Sequence, residues 1–74
     1  MKQEVINNTG NGATEHELLS QGLATVMEAK KFLGLSRSTL YGLMDRRELS
    51  YVKIGRSRRI PWNALYQLAA KNLV

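Results

Sequence analysis

"YVKIGRSRRIP", residues 51 to 61, is where the apolar pattern of the chain changes period. Before this stretch apolar residues recur at helical spacing, and within it they alternate. Tyr51, Val52, Lys53 and Ile54 read as a strand, Gly55, Arg56 and Ser57 as a turn, and Arg58, Arg59 and Ile60 as a return strand. A three-residue loop sets Val52 opposite Ile60, Ile54 opposite Arg58 and Lys53 opposite Arg59. One side of the hairpin is then mostly aliphatic and suited to lie on a core. The other carries Lys53 and Arg59 face to face, and like charges so placed destabilise a hairpin. That pairing makes sense where an anion lies against it.

Upstream, Ser36 has the character of an N-cap, and Leu40, Leu43 and Met44 form the apolar stripe of a helix running to about Arg47. An earlier helix starts at Thr25, which has capping-box spacing with Glu28. The hydroxyl accepts the N3 amide proton while the glutamate reaches back to the cap amide. Val26, Ala29, Phe32 and Leu33 lie on one side of that helix, and Gly34 supplies the left-handed residue that ends it. Two short helices joined by Gly34, Leu35 and Ser36 make a helix-turn-helix pattern. Downstream, Pro61 suits the first position of a last helix, whose apolar arc holds Trp62, Leu65, Leu68, Ala69 and Leu73. Trp62, Tyr66 and Leu73 broaden that arc beyond what a small core uses. They either complete the core or form a surface for self-association or another partner.

The first 22 residues are rich in Asn, Thr, Gly and Glu and hold few large aliphatics. They read as a flexible tail that buries too little to offset the entropy of ordering. Leu18 and Leu19 are the exception, able to dock on the domain or to begin a short helix that Gly22 stops. The expected organisation is a tail at 1–22 and a domain at 23–74. The fold class is small α+β: a winged helix-turn-helix with a two-stranded β-hairpin wing, a C-terminal helix and a flexible N-terminal tail.

A chain of 74 residues allows one domain with a small core, and 43% hydrophobic with 23% charged residues is the balance of a globular protein. No apolar run is long enough to span a membrane and none follows Lys2 as a signal peptide would, so a cytoplasmic location is the expectation. Cysteine is absent, which rules out disulfides and thiolate-bound metals. The lone histidine, His16, falls in the tail, so neither a catalytic constellation nor a metal or cofactor site is expected. The formal net charge is +5, and it is unevenly spread. Residues 1 to 25 hold Lys2 against Glu4, Glu15 and Glu17. Every other Lys and Arg lies beyond them, against only Glu28, Asp45 and Glu48. A compact basic unit of this kind attracts a polyanion such as nucleic acid.

The exposed side of the second helix carries Ser38, Tyr41, Gly42 and Asp45, flanked by Arg37, Thr39 and Arg46. Small and polar groups there suit an approach to base edges in a major groove, with Arg37 reaching a base or a phosphate. A plainer reading stands beside it: Arg46 and Arg47 suit the negative end of the helix dipole, and Ser38 and Thr39 satisfy first-turn amides. The hairpin that follows weighs toward DNA, because a basic wing beside a helix-turn-helix reaches the phosphate backbone or a minor groove.

The order of residues from Thr25 onward resembles the winged helix-turn-helix domains of the excisionase-like family, related to the MerR-type DNA-binding fold. "FLGLSRSTLY", the "EL" before the first strand and "VKIGRSRRIP" carry the resemblance, which covers nearly all of residues 23 to 70. It implies a recognition helix over Ser36 to Arg47 and a wing over Lys53 to Arg59. By position, Arg37, Ser38, Thr39 and Tyr41 match the family's helix contacts, and Lys53, Arg56, Arg58 and Arg59 its wing contacts. Three residues depart from the pattern. Gly42 stands where a long polar or basic side chain is common and costs about 1 kcal/mol of helix stability relative to Ala. Arg47 stands where the family usually has the helix-ending Gly. Asp45 must pair locally, read a cytosine amino group or lie off the DNA.

The expectation is therefore a non-enzymatic, sequence-specific protein for double-stranded DNA. One role that fits is an excisionase, or recombination directionality factor, that acts with an integrase. A small phage- or plasmid-type transcription regulator fits as well. A protein-interaction adaptor that ignores DNA is the reading from another class. Cooperative self-association on DNA through Trp62, Tyr66 and Leu73 is expected of so small a binder.

Overall fold

The computed structural model describes residues 3–6 and 15–74. In chain order the elements are β1 (Gln3–Ile6), α1 (Glu15–Leu19), β2 (Leu23–Thr25), α2 (Val26–Leu33), α3 (Arg37–Asp45), β3 (Tyr51–Ile54), β4 (Ser57–Pro61) and α4 (Trp62–Lys71). The strands form one antiparallel sheet in the order β1-β3-β4-β2. The expected hairpin is its centre, flanked by one further strand on each side.

The helix-turn-helix forms for the local reasons the residues suggest. Thr25 Oγ1 accepts the Glu28 amide at 3.0 Å, and the Glu28 carboxylate accepts the Thr25 amide at 2.9 Å, closing the capping box. These bonds from Thr25, backbone first, hold the Glu28 carboxyl below the ordinary glutamate range, helped by the nearby charges of Arg59 and Lys31. Gly34 ends α2 in the left-handed conformation at φ 66°, donating to Lys30 O at 2.8 Å. Ser36 caps α3 by accepting the Thr39 amide at 3.2 Å.

The second helix ends at Asp45, slightly before the expected boundary, and its closure explains the departure at Arg47. The Arg47 amide donates to Met44 O at 3.1 Å and the Glu48 amide to Leu43 O at 2.8 Å. That is a Schellman closure, whose pivot is left-handed and usually glycine. Arg47 occupies it at φ 63° and is the one described non-glycine residue with positive φ.

The hairpin register differs from the expected one by a residue. Val52 pairs with Arg59, Lys53 with Arg58 and Ile54 with Ser57, so the loop is Gly55 and Arg56 alone. Gly55 has φ 62° and Arg56 does not share a positive φ, the sign pattern of a II′ turn with glycine first. Two-residue turns of this class match the right-handed twist of paired strands, and that favours the shorter loop. Lys53 therefore opposes Arg58 and not Arg59. Val52 and Ile60, expected to share a side, lie on opposite faces of the sheet, yet both are fully buried.

One face of the sheet supplies Ala24, Tyr51 and Ile60 to a core with Ala29 of α2, Leu40 and Met44 of α3, Leu49, and Ala64 and Leu65 of α4. Pro61, expected as the first residue of the last helix, ends β4 and serves as the N-cap of α4; the Trp62 amide then donates to Gly22 O at 3.1 Å. Among the residues expected as tail, 1, 2 and 7–14 lie outside the described residues. Residues 3–6 form β1 in register with β3, Gln3 beside Ile54 through Ile6 beside Tyr51. The segment around Leu18 and Leu19 is the short helix that the apolar pair suggested, and Gly22 follows it at φ 83°. Leu18 is 1% exposed and joins the core, ahead of the boundary expected at residue 23. Asn63 ties this segment to α4, its side-chain amide donating to Glu17 O at 2.8 Å and Ser20 Oγ at 3.2 Å. No helix among the described residues is long and apolar enough to cross a membrane.

Leu18→Ala is expected to cost about 2–5 kcal/mol, the usual loss for a buried leucine, read as a lowered urea midpoint at unchanged slope. A midpoint equal to that of the parent chain would show that α1 contributes nothing to the core.

Candidate nucleic-acid interface

The residues expected to act together come from two elements, the exposed side of α3 and the β3–β4 hairpin. On α3, Arg37 and Ser38 are exposed beside the N-cap, and Ser38 Oγ lies 3.4 Å from Ser36 Oγ. Thr39 points elsewhere. Its hydroxyl accepts from Ser36 Oγ at 2.8 Å, and its side chain lines an apolar groove with Leu33, Leu35, Leu43 and Leu68. Arg46 is engaged with Glu48 through an Nε–Oε2 ion pair at 2.5 Å. A Cβ at Gly42 would stand 3.1 Å from Arg46 Nη1, so the glycine lets that arginine fold back against the helix. The obstruction would be the far end of a flexible side chain, so packing does not compel a glycine here. What Gly42 leaves is a flat surface next to Ser38.

The four basic residues of the hairpin divide by register. Arg56 sits at the tip and Lys53 is exposed on β3. Arg58, opposite Lys53, shares the sheet face that packs toward α3. Its guanidinium carbon lies 4.6 Å from the ring centroid of Tyr51 on β3 and 4.9 Å from that of Tyr41 on α3. Its Nη1 is 3.3 Å from Asp45 Oδ1, and its side chain is only 24% exposed. Arg59 points to the other face of the sheet, with Val52 and Thr25 as its register partners. There it is half-buried, donates to Arg58 O at 3.0 Å, and adds positive charge near Glu28. The structure thus gathers Arg37 and Arg58 on the Tyr41 ring, with Ser38 next to Arg37 on α3, Lys53 opposite Arg58 and Arg56 at the hairpin tip, and it sets Thr39 and Arg59 apart.

Magnitudes decide what holds Arg58. An exposed carboxylate at this distance contributes about 0–1 kcal/mol, and the Asp45 side chain is 65% exposed. Each guanidinium–ring contact contributes about 0.5–2 kcal/mol, more as water is excluded. The rings dominate and the acid completes the site. Asp45, whose role the sequence left open among three options, pairs locally. Tyr41 is crowded by a second guanidinium, Arg37, at 5.3 Å from its centroid.

Sequence reasoning set Arg58 on the aliphatic side and Arg59 opposite Lys53, and it missed Tyr51 as a platform for Arg58. The missing signal was Gly55 followed by Arg56 as a two-residue loop, which fixes the register and so puts Arg58 on the face of Tyr51 and Lys53. On α4, Trp62 and Tyr66 form a ring cluster with Phe32 of α2, at centroid distances of 5.6 to 6.2 Å. Phe32 and Tyr66 are about half exposed, while Leu73 lies beyond the end of α4 and outside the cluster. Among the described residues no group of His, Asp and Glu could hold a metal ion.

A family model described as a helix-turn-helix domain matches residues 25–72. Over 49 residues the chain is 49% identical to a protein of Saccharopolyspora erythraea named "Probable excisionase", covering 66% of this chain and 50% of that protein. The chain thus matches about half the length of this relative. No solved structure matches.

Because an L-residue in the left-handed region is strained whereas glycine is not, Arg47→Gly is expected to stabilise the domain by about 0.5–1 kcal/mol, net of the greater freedom of glycine when unfolded. Thermal or urea unfolding measures it. Loss of stability would show that the Arg47 side chain makes a contact that outweighs its backbone strain.

Proposed function

The chain belongs to the family of excisionase-like helix-turn-helix domains, and from that premise we propose that it binds double-stranded DNA sequence-specifically as an excisionase. In this reading α3 lies in a major groove and the β3–β4 hairpin is the wing on the adjoining backbone. The observation that carries it is the single polar and basic surface that two separate elements build. Arg37, Ser38 and the flat turn at Gly42 come from the helix. Lys53 and Arg56 come from the hairpin, on which Arg58 reaches across to α3. Lys53 and Arg56 fit phosphates, which carry affinity without sequence information. In this reading Ser38 and Arg37, exposed at the start of α3, meet base edges, where bidentate arginine favours guanine. An excisionase of this kind would mark attachment-site DNA for an integrase. Phe32 and Tyr66, exposed over the partly buried Trp62, favour a protein contact away from that surface, with the integrase or a neighbouring copy.

Titration of fluorescent duplex DNA at several salt concentrations tests this reading. With Arg46 and Arg58 held internally, Arg37, Lys53 and Arg56 remain as the main cations of the surface. Two phosphate contacts, from Lys53 and Arg56, give a slope of log K against log salt of about −2. Arg56→Ala or Lys53→Ala should weaken binding on every duplex and lower the slope by about 1. Ser38→Ala should instead change which sequences a random duplex pool yields on selection. Absence of duplex binding at low salt would sink the proposal.

A further inference from the structure

We infer that Arg58 and Tyr41 serve the interface as a positioning pair that locks the wing onto the recognition helix, and that neither acts mainly by touching DNA. This rests on the DNA-binding reading above and assigns two of its expected contact residues a different task. The geometry is specific. Arg58 is three-quarters covered, its guanidinium lies over the rings of Tyr41 and Tyr51, and Asp45 takes one of its donors. To reach a phosphate it would have to leave two rings and a carboxylate. Tyr41 is half-buried, with the guanidinium groups of both Arg37 and Arg58 over its ring, which leaves little ring face for a base or sugar.

β1 and β2 brace the hairpin within the sheet, but pairing in the plane of the sheet does not set the distance from its face to α3. The register of β3 and β4 brings Arg58 under Lys53, on the face toward α3. The arginine therefore fixes the separation between the wing cations and Arg37 and Ser38. Ordering that separation before DNA arrives removes an entropic cost from binding, which is how a residue off the DNA can govern affinity. Arg37, by contacting the same Tyr41 ring, is held in place at the same time.

The test is a double-mutant cycle on duplex binding, with Tyr41→Phe as the conservative control. Tyr41→Phe keeps the ring and loses only the hydroxyl, so affinity should stay within about twofold of the parent. Tyr41→Leu and Arg58→Gln should each weaken binding by about tenfold. The double variant should be no worse than either, because the two act as one device. About a hundredfold loss in the double variant would mean independent DNA contacts and overturn the inference. So would a Tyr41→Phe variant as weak as Tyr41→Leu, since the hydroxyl would then be the active group. Amide hydrogen exchange on the free chain provides an arm that does not depend on DNA. Exchange should quicken over residues 53–57 in Tyr41→Leu and Arg58→Gln, and remain slow there in Tyr41→Phe and in the α2 and α4 core of all three. Unchanged wing exchange would overturn the lock even if DNA is bound. Changed wing exchange without any DNA binding would uphold the lock and dismiss the function it was assigned to.

Discussion

The guanidinium of Arg58 lies over two tyrosine rings, one from the hairpin and one from the helix beside it, and the shape of the basic surface depends on that placement. The hydrophobic core joins α3 to the sheet through Leu40, Met44, Tyr51 and Ile60, but it stops short of the hairpin tip. Beyond the core, Arg58 is the described side chain seen to bridge wing and helix, with Asp45 at its end. Arginine suits the position because its plane stacks on aromatic rings while its donors remain free to meet a carboxylate. Lysine, a compact and strongly hydrated charge, would do neither well.

The bridge exists because of a turn two residues long. With Gly55 left-handed and Arg56 at the tip, Arg58 shares the face of Tyr51 and Lys53, and Arg59 shares that of Val52. One turns toward α3 and the other toward the capping box of α2, where its charge favours the ionised Glu28. Consecutive identical residues thus stabilise different junctions of the same small domain. A one-residue slip would exchange them and send the wing charge to the wrong side, which is the general consequence of a period of two along a strand.

Much of this was legible in the residues. Thr25 with Glu28, Gly34 and Ser36 announce their caps locally, so the helix-turn-helix could be read without knowledge of packing. The hairpin could be located but not registered. Its apolar alternation was read on the premise that only one face is covered, whereas Val52 and Ile60 are buried on opposite faces. The pairing of β1 beside β3 and the docking of Leu18 involve partners far apart in the chain, which no local pattern encodes. The candidate site was legible as a set of residues and illegible as a division of labour. Alternation alone sets Arg56 in the turn and Arg58 and Arg59 on opposite sides, but the ring or acid that each meets depends on the register and on partners elsewhere in the chain.

Strain is placed where the surface begins. Arg47 holds a left-handed turn that glycine would hold more easily, directly after α3. Glycine stands instead at residue 42, where it leaves that helix flat. The most direct measurement of the whole account is a nuclear magnetic resonance titration of the nitrogen-15-labelled chain with duplex DNA at low salt. Amide shifts should move at Arg37, Ser38 and Gly42 together with Lys53 to Arg56, and stay still at Phe32, Trp62 and Tyr66. Shifts confined to the ring cluster, with α3 and the wing unmoved, would contradict it.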